Sequence, residues 1–212
     1  LEDFNMSMTV TAITHKSNAI MPSIISQVTP SESSVIKRVA YEPMYLNHLR
    51  NNLSLKCVKK VSLHEPLTNI RKVLFVQLEK GTSRTEVWRA LNGASMLRAD
   101  SGKYVIAIDQ DIDPDNADSV FWALAYRANP IEDMQILPHR ARGHGPKAKG
   151  GPSEDSTLLI DATMKGDMPP LALPKKEYME HAKEIWERLQ LPSLTPQSPW
   201  HGYEMGHWSD DW

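Results

Sequence analysis

The chain has 212 residues, 41% hydrophobic and 24% charged, with a net charge of −2 at neutral pH. These values fit a folded domain with a sizeable core and exclude a global electrostatic case for nucleic acid or an anionic membrane surface. One cysteine, Cys57, rules out an internal disulfide and suits a reducing compartment. No apolar run reaches the length of a membrane span, and no basic-then-apolar leader opens the chain. Leu1 is not an initiator methionine, which reads as a start inside a longer polypeptide.

In chain order, Met6–Ile13 and Asn18–Gln27 read as two strands joined by a turn at His15–Asn18. Ser31 and Ser33 can cap a helix carrying Val35, Ile36, Val39 and Ala40, which Pro43 should kink or end. Leu55–Leu63 alternates as a strand with one solvated face and carries Cys57, a half-buried thiol rather than a nucleophile. Ile70–Leu78 is a further strand. Ser83 and Glu86 form a capping box for a helix burying Val87, Ala90, Leu91 and Ala94.

The stretch Lys103–Pro130 organises the rest. Tyr104–Ile108 is a β-branched run that predicts a strand buried on both faces. An acidic turn, Asp109–Asp115, follows. A helix then presents Ala117, Val120, Phe121, Leu124 and Ala128 on one face and stops at Pro130. The turn is not a calcium loop, because Pro114 and Val120 stand where glycine and a bidentate glutamate are needed. Two readings stay open for it: solvated carboxylates capping the helix, or Asp109 and Asp111 holding a metal against a nucleotide-sugar diphosphate.

Asp133–Pro138 and Thr157–Asp161 read as strands, Met168–Pro174 as an extended connector, and Lys175–Leu189 as a helix with Tyr178, Ala182, Ile185 and Leu189 at i, i+4, i+7 and i+11. Between the two strands, His139–Gly151 combines glycines with Arg140, Arg142, Lys147 and Lys149. That composition suits either an anion-binding flap or a solvated loop. Trp200, Tyr203, Met205, Trp208 and Trp212 make an aromatic tail that either docks on a neighbour or packs back. The eight histidines make no metal-ligand spacing, and no nucleophile elbow is present.

The Tyr104–Ile108 strand, its Asp109-Gln110-Asp111-Ile112 turn, Val120-Phe121-Trp122-Ala123 and the Arg127–Pro130 exit resemble the carboxyl-terminal domain of the UbiD family. Met8–His15 with Asn18–Ile20, the Gly143–Gly151 loop and the Leu158–Thr163 strand are similar to further family motifs, in the family's order. The resemblance implies an α/β fold, a sheet with helices on both faces, preceded by two strands of an upstream split-barrel flavin domain. It divides the chain into residues 1–30 closing that barrel, a domain over 31–190, and a tail over 191–212. It implies a cytoplasmic carboxy-lyase acting on an aromatic or α,β-unsaturated acid with prenylated FMN as electron sink, and a homo-oligomer, dimeric or hexameric. The catalytic Glu and Arg residues, and the ligands for Mn and K, are expected upstream, so no catalytic or metal residue is assigned here. Lys147 and Lys149 are expected at the cofactor, and Gln27 and His144 at the substrate. Thr157 stands where relatives place a phosphate-binding lysine. A non-catalytic assembly module is the alternative.

Overall fold

The computed structural model describes residues 7–23, 29–66, 68, 71–143, 150–166 and 174–193. Helix α1 spans Glu32–Asn47 and passes into a π-helical segment, His48–Asn52. Strands β1 (Val58–Leu63) and β2 (Val73–Leu78) follow, then α2 (Arg84–Leu97), β3 (Tyr104–Asp109), α3 (Ala117–Arg127), β4 (Met134–Ala141), β5 (Glu154–Ala162) and α4 (Lys176–Arg188).

The strands form one sheet in the order β1-β2-β3-β5-β4. β2, β3 and β5 run parallel, and the outer strands β1 and β4 are antiparallel to their neighbours. The β-branched run of β3 sits at the centre and is buried on both faces, as its composition requires. One face is covered by α1, the π-helical segment and α2, whose Leu49, Val87, Ala90 and Leu91 pack on Leu74, Val76, Val105 and Leu159. The other face is covered by α3, with Val120 and Ala123 over Phe75, Ile106 and Ile160. Helices therefore lie on both faces, as expected.

Several local expectations shift. Met6–Ile13 and Asn18–Gln27 form no strand over the described residues 7–13 and 18–23. Alternation predicts a face, but a ladder needs a partner, and none of the five strands pairs with the described residues of this segment. Met8, Val10, Ile13, Ile20 and Met21 are left exposed.

Pro43 does not end α1, which runs on to Asn47. It lies on the exposed side, where the Val39 carbonyl that it deprives of a donor can take water. Ser31 caps α1 in a capping box with Ser34, and both bond to Glu65, which fastens the helix start to the loop after β1.

Helix α3 is rotated from its predicted face. Its buried residues are Ser119, Val120, Ala123 and Arg127, while Phe121 is 69% exposed. Arg127 is drawn inward by Asp109 and Asp111, and the helix turns to follow it. The N-cap is Asn116, whose side chain accepts the amides of Asp118 and Ser119, rather than one of the aspartates.

Helix α4 forms as read, with Tyr178, Ala182 and Leu189 exposed. The aromatic tail lies outside the described residues.

Candidate functional site

In open α/β sheets the carboxyl ends of parallel strands are the usual ligand crevice. Here that position is filled by protein charge. Asp109 ends β3, and Asp111 lies in the turn beyond it. Arg127, at the last turn of α3, donates from Nη1 to Asp109 Oδ2 at 3.1 Å and to Asp111 Oδ1 at 3.0 Å, and from Nη2 to Asp111 Oδ2 at 2.5 Å. Its guanidinium also lies 5.0 Å from the centroid of the Trp122 ring. The Met164 amide donates to Asp109 Oδ2 at 2.6 Å.

Beside this cluster, Lys165 donates to the Asp161 and Arg127 carbonyls at 2.6 and 2.8 Å and pairs with Asp161 and Asp133 carboxylates at 3.2 and 3.3 Å. Arg84, at the start of α2, closes the group on Asp133 at 3.1 Å. Four carboxylates thus face three cations. Burial pushes the Asp109 carboxyl above the usual range, against the opposing pull of the Met164 amide and Arg127, while Asp111 and Asp161 add to the rise.

This arrangement decides between the two readings of the acidic turn, and both are corrected. The carboxylates of Asp109 and Asp111 are neither solvated helix caps nor free to hold a metal against a diphosphate. Asp109 Oδ2 and both Asp111 carboxylate oxygens are committed to Arg127 and Met164. Among the described residues no group of three or more His, Cys, Asp or Glu side chains is arranged to hold a metal ion.

The amino edge of the same strands carries the root of the glycine loop. Asp100 pairs with Arg71 at 2.7 Å and Arg98 at 3.2 Å, and both guanidiniums lie over the Tyr41 ring. Gly143 has φ +52°, and a Cβ there would stand 2.5 Å from the Asp100 carbonyl oxygen. Lys72 donates to the Arg142 carbonyl at 3.0 Å, and Arg142 to the Gly151 carbonyl at 3.5 Å. Arg140 bonds the Ser95 and Arg98 carbonyls at the end of α2.

Two of the four cations assigned to an anion-binding loop therefore hold its base together. Lys147, Lys149 and His144 lie outside the described residues, as does Gln27. His139 pairs with Glu154 at 2.7 Å on the surface, and Thr157 is buried in β5 opposite Leu137. Burial raises the Cys57 thiol, which agrees with an unreactive role. An open depression of about 520 Å³ on α2 is lined by Arg84, Thr85, Trp88, Arg89 and Asn92. Its two arginines are already bonded, to Asp133 and the Glu132 carbonyl and to Glu86 and the Leu53 carbonyl.

The role of Arg127 was missed in the sequence. Its signal was present: an arginine continuing the Val120–Ala123 stripe of an otherwise apolar helix has to find a buried carboxylate.

The fold agrees with known proteins. Gallate decarboxylase of Lactiplantibacillus plantarum is 26% identical over 176 residues, covering 75% of this chain and 34% of that protein. A phenolic acid decarboxylase of Streptomyces sp. (strain D7) is 34% identical over 59 residues, 28% of this chain and 12% of that one. The chain thus spans about a third or less of these relatives. Among solved structures, the UbiD-class enzyme HmfF from Pelotomaculum thermopropionicum in complex with FMN shares the fold, with TM-score 0.56 and 21% identity over 72% of this chain and 34% of that one. The vanillic acid decarboxylase of Sedimentibacter hydroxybenzoicus in closed form does so with TM-score 0.54 and 20% identity, over 74% and 34%. Residues 34–162 match the model of the 3-octaprenyl-4-hydroxybenzoate carboxy-lyase C-terminal domain, more than half of the polypeptide, and the chain belongs to the UbiD family.

Proposed function

We propose that this chain is the carboxyl-terminal portion of a carboxy-lyase that decarboxylates an aromatic or α,β-unsaturated acid, and that an upstream flavin-binding half completes it. What supports the reading is the family match over residues 34–162 laid on the central sheet, β3 and its acidic turn included. The relatives act on gallic, phenolic and vanillic acids by their names, which favours a hydroxylated aromatic acid. The cofactor is prenylated FMN, found with HmfF, which supplies an electron sink for loss of CO2. Mn and K belong to the complete enzyme, on ligands outside this chain.

The described residues do not make a flavin site on their own. The α2 depression is open, its arginines are bonded, and the described cations at the loop root are held by Asp100 and by backbone carbonyls. No reaction step is placed on them. The chain contributes the wall instead: residues 7–23 closing the barrel of the flavin half, with 1–30 as that barrel's end and 31–190 as its supporting domain. Gln27 and His144 toward substrate, and Lys147 and Lys149 toward the flavin phosphate, extend the same reading. The enzyme is cytoplasmic and homo-oligomeric; no helix among the described residues is long and apolar enough to cross a membrane.

The test uses this chain alone and with the flavin-binding half, each incubated with prenylated FMN and desalted. Flavin absorbance and release of labelled CO2 from hydroxybenzoic acids should appear only in the completed pair. Flavin retained by the pair without CO2 from any acid leaves an assembly module. CO2 from this chain alone overturns the division of labour.

A further inference from the structure

A buried carboxylate sits where the chain enters the sheet domain. Glu65, in the loop after β1, is 4% exposed. Its Oε1 accepts from the Ser31 amide at 3.3 Å and from the Ser34 hydroxyl in a short bond, and its carbonyl accepts from the Thr29 hydroxyl at 2.8 Å. Glutamate is rarely buried without a cation, yet among the described residues no lysine, arginine or histidine pairs with this one. The charge is met instead by the amino end of α1, a 16-residue helix whose dipole favours an anion there.

The helix does not need Glu65 as a cap. Ser31 and Ser34 already complete a capping box between themselves. What Glu65 adds is a link from that cap to the sheet. The loop end of the link is itself fixed. The His64 amide donates to the Val73 carbonyl at 3.0 Å, the His64 ring bonds Thr68 at 2.9 Å, and it stands edge-on to Phe75. The helix is also held a second time. The Leu63 amide donates to Glu42 at 2.9 Å, and Arg38 bonds Glu42 and Asp115, both at 2.7 Å. A helix tied to its sheet at two points along its axis cannot pivot, so the direction of the chain that leads into it is set.

That chain is the amino-terminal segment. Residues 7–23 are exposed throughout, whereas Thr29, Ser31 and Ser34 are buried. Burial thus begins at the residues that Glu65 bonds. We propose that Glu65 is a positioning residue of the carboxy-lyase, setting the angle at which the flavin-binding half is held against the sheet domain. The claim rests on the reading of this chain as the carboxyl-terminal portion of such an enzyme. Glu65 acts through Thr29 and Ser31 on the stretch that carries the barrel's end, and itself touches neither acid nor flavin. Productive geometry tolerates only about 0.5 Å or 10–20°, and a misplacement of about 1 Å can cost on the order of a hundredfold in rate.

The test compares wild type, Glu65→Ala, Glu65→Gln and Thr29→Val in the completed pair with prenylated FMN. Glu65→Ala should lower kcat for CO2 release on the order of a hundredfold and leave the flavin retained after desalting unchanged. Glu65→Gln keeps an acceptor oxygen for Ser31 and Ser34 and should recover most of the loss. Thr29→Val removes one bond and should fall between wild type and Glu65→Ala. Small-angle scattering supplies a readout apart from activity: Glu65→Ala should enlarge the radius of gyration of the pair, and Glu65→Gln should return it. Circular dichroism checks the fold of each variant, and Thr29→Val carries both comparisons if Glu65→Ala does not fold. A folded Glu65→Ala with wild-type kcat, a loss as deep in Glu65→Gln, flavin lost together with activity, or scattering curves that superpose would each overturn the proposal. A wild-type pair that releases no CO2 counts against the carboxy-lyase reading, and the scattering then decides the role of Glu65 alone.

Discussion

Arg127 is the residue whose loss the protein should feel most. It is buried, and it answers two aspartates at once. Breaking a buried pair from one side leaves uncompensated charge, so Arg127→Met should cost about 3–5 kcal/mol in urea unfolding. Asp109 sets a pH dependence of defined sign. Its carboxyl titrates higher in the folded protein than in the unfolded chain, so the folded state binds the extra proton. The stability that this contributes is present at acid pH and is lost as pH rises from the ordinary carboxylate value through the raised one. Asp109→Asn should remove that slope, and its stability deficit against wild type should shrink as pH rises across the window. A parallel pair of curves would show that Asp109 does not titrate there. Asp100 has the opposite sign: despite burial, Arg98 and Arg71 hold it below the usual range. Its contribution is present above the ordinary value and is lost as pH falls through the lowered one. At this scale the sequence was only half legible. It displayed the aspartates but gave no distance between residue 109 and residue 127, and a carboxylate in a turn is more often solvated than clamped.

Among elements, the glycine loop and α1 offer the sharpest tests. Gly143 combines a left-handed φ with a backbone oxygen where a Cβ would go. Gly143→Ala should therefore lower stability by about 1–3 kcal/mol. Gly150→Ala, at φ +73° but facing open space, should cost only about 1 kcal/mol, read as the difference between two melting curves. In α1, Pro43→Ala returns an amide to an exposed helix interior and should stabilise the domain by about 1–3 kcal/mol. The existence of the elements was well marked, because β-branched runs, the Ser31 and Ser83 caps and the α2 stripe are local signals. The facing of α3 was not. It depended on a contact between the helix end and the strand before it, which periodicity cannot see. Helix α4 shows the converse. Its pattern correctly announced an apolar face, yet a pattern does not say whose surface that face meets.

For the molecule as a whole, the division between the sheet domain and its amino-terminal segment is mechanical. Residues 7–23 are exposed and make no ladder, whereas 29–66 are tied in through Glu65 and the core. Trypsin should therefore cut after Lys16 first and leave the sheet domain intact on a gel. Adding the flavin-binding half should slow that cut, and unchanged cleavage would speak against residues 7–23 pairing with it. The fold class was legible from the alternation of strands and helices. The antiparallel placing of β1 and β4 was not, since strand order belongs to no local stretch.

Those two outer strands also govern how copies of the chain can meet. β4 carries Pro138 and a left-handed His139 at the break in its register, and β1 carries Lys59 and Lys60 beside a bulge of its own. Neither rim offers the long, flat row of free amides on which a foreign strand could grow a ribbon. Both rims are thereby closed to strand-on-strand growth, and the sheet ends at its own five strands instead of seeding a fibre.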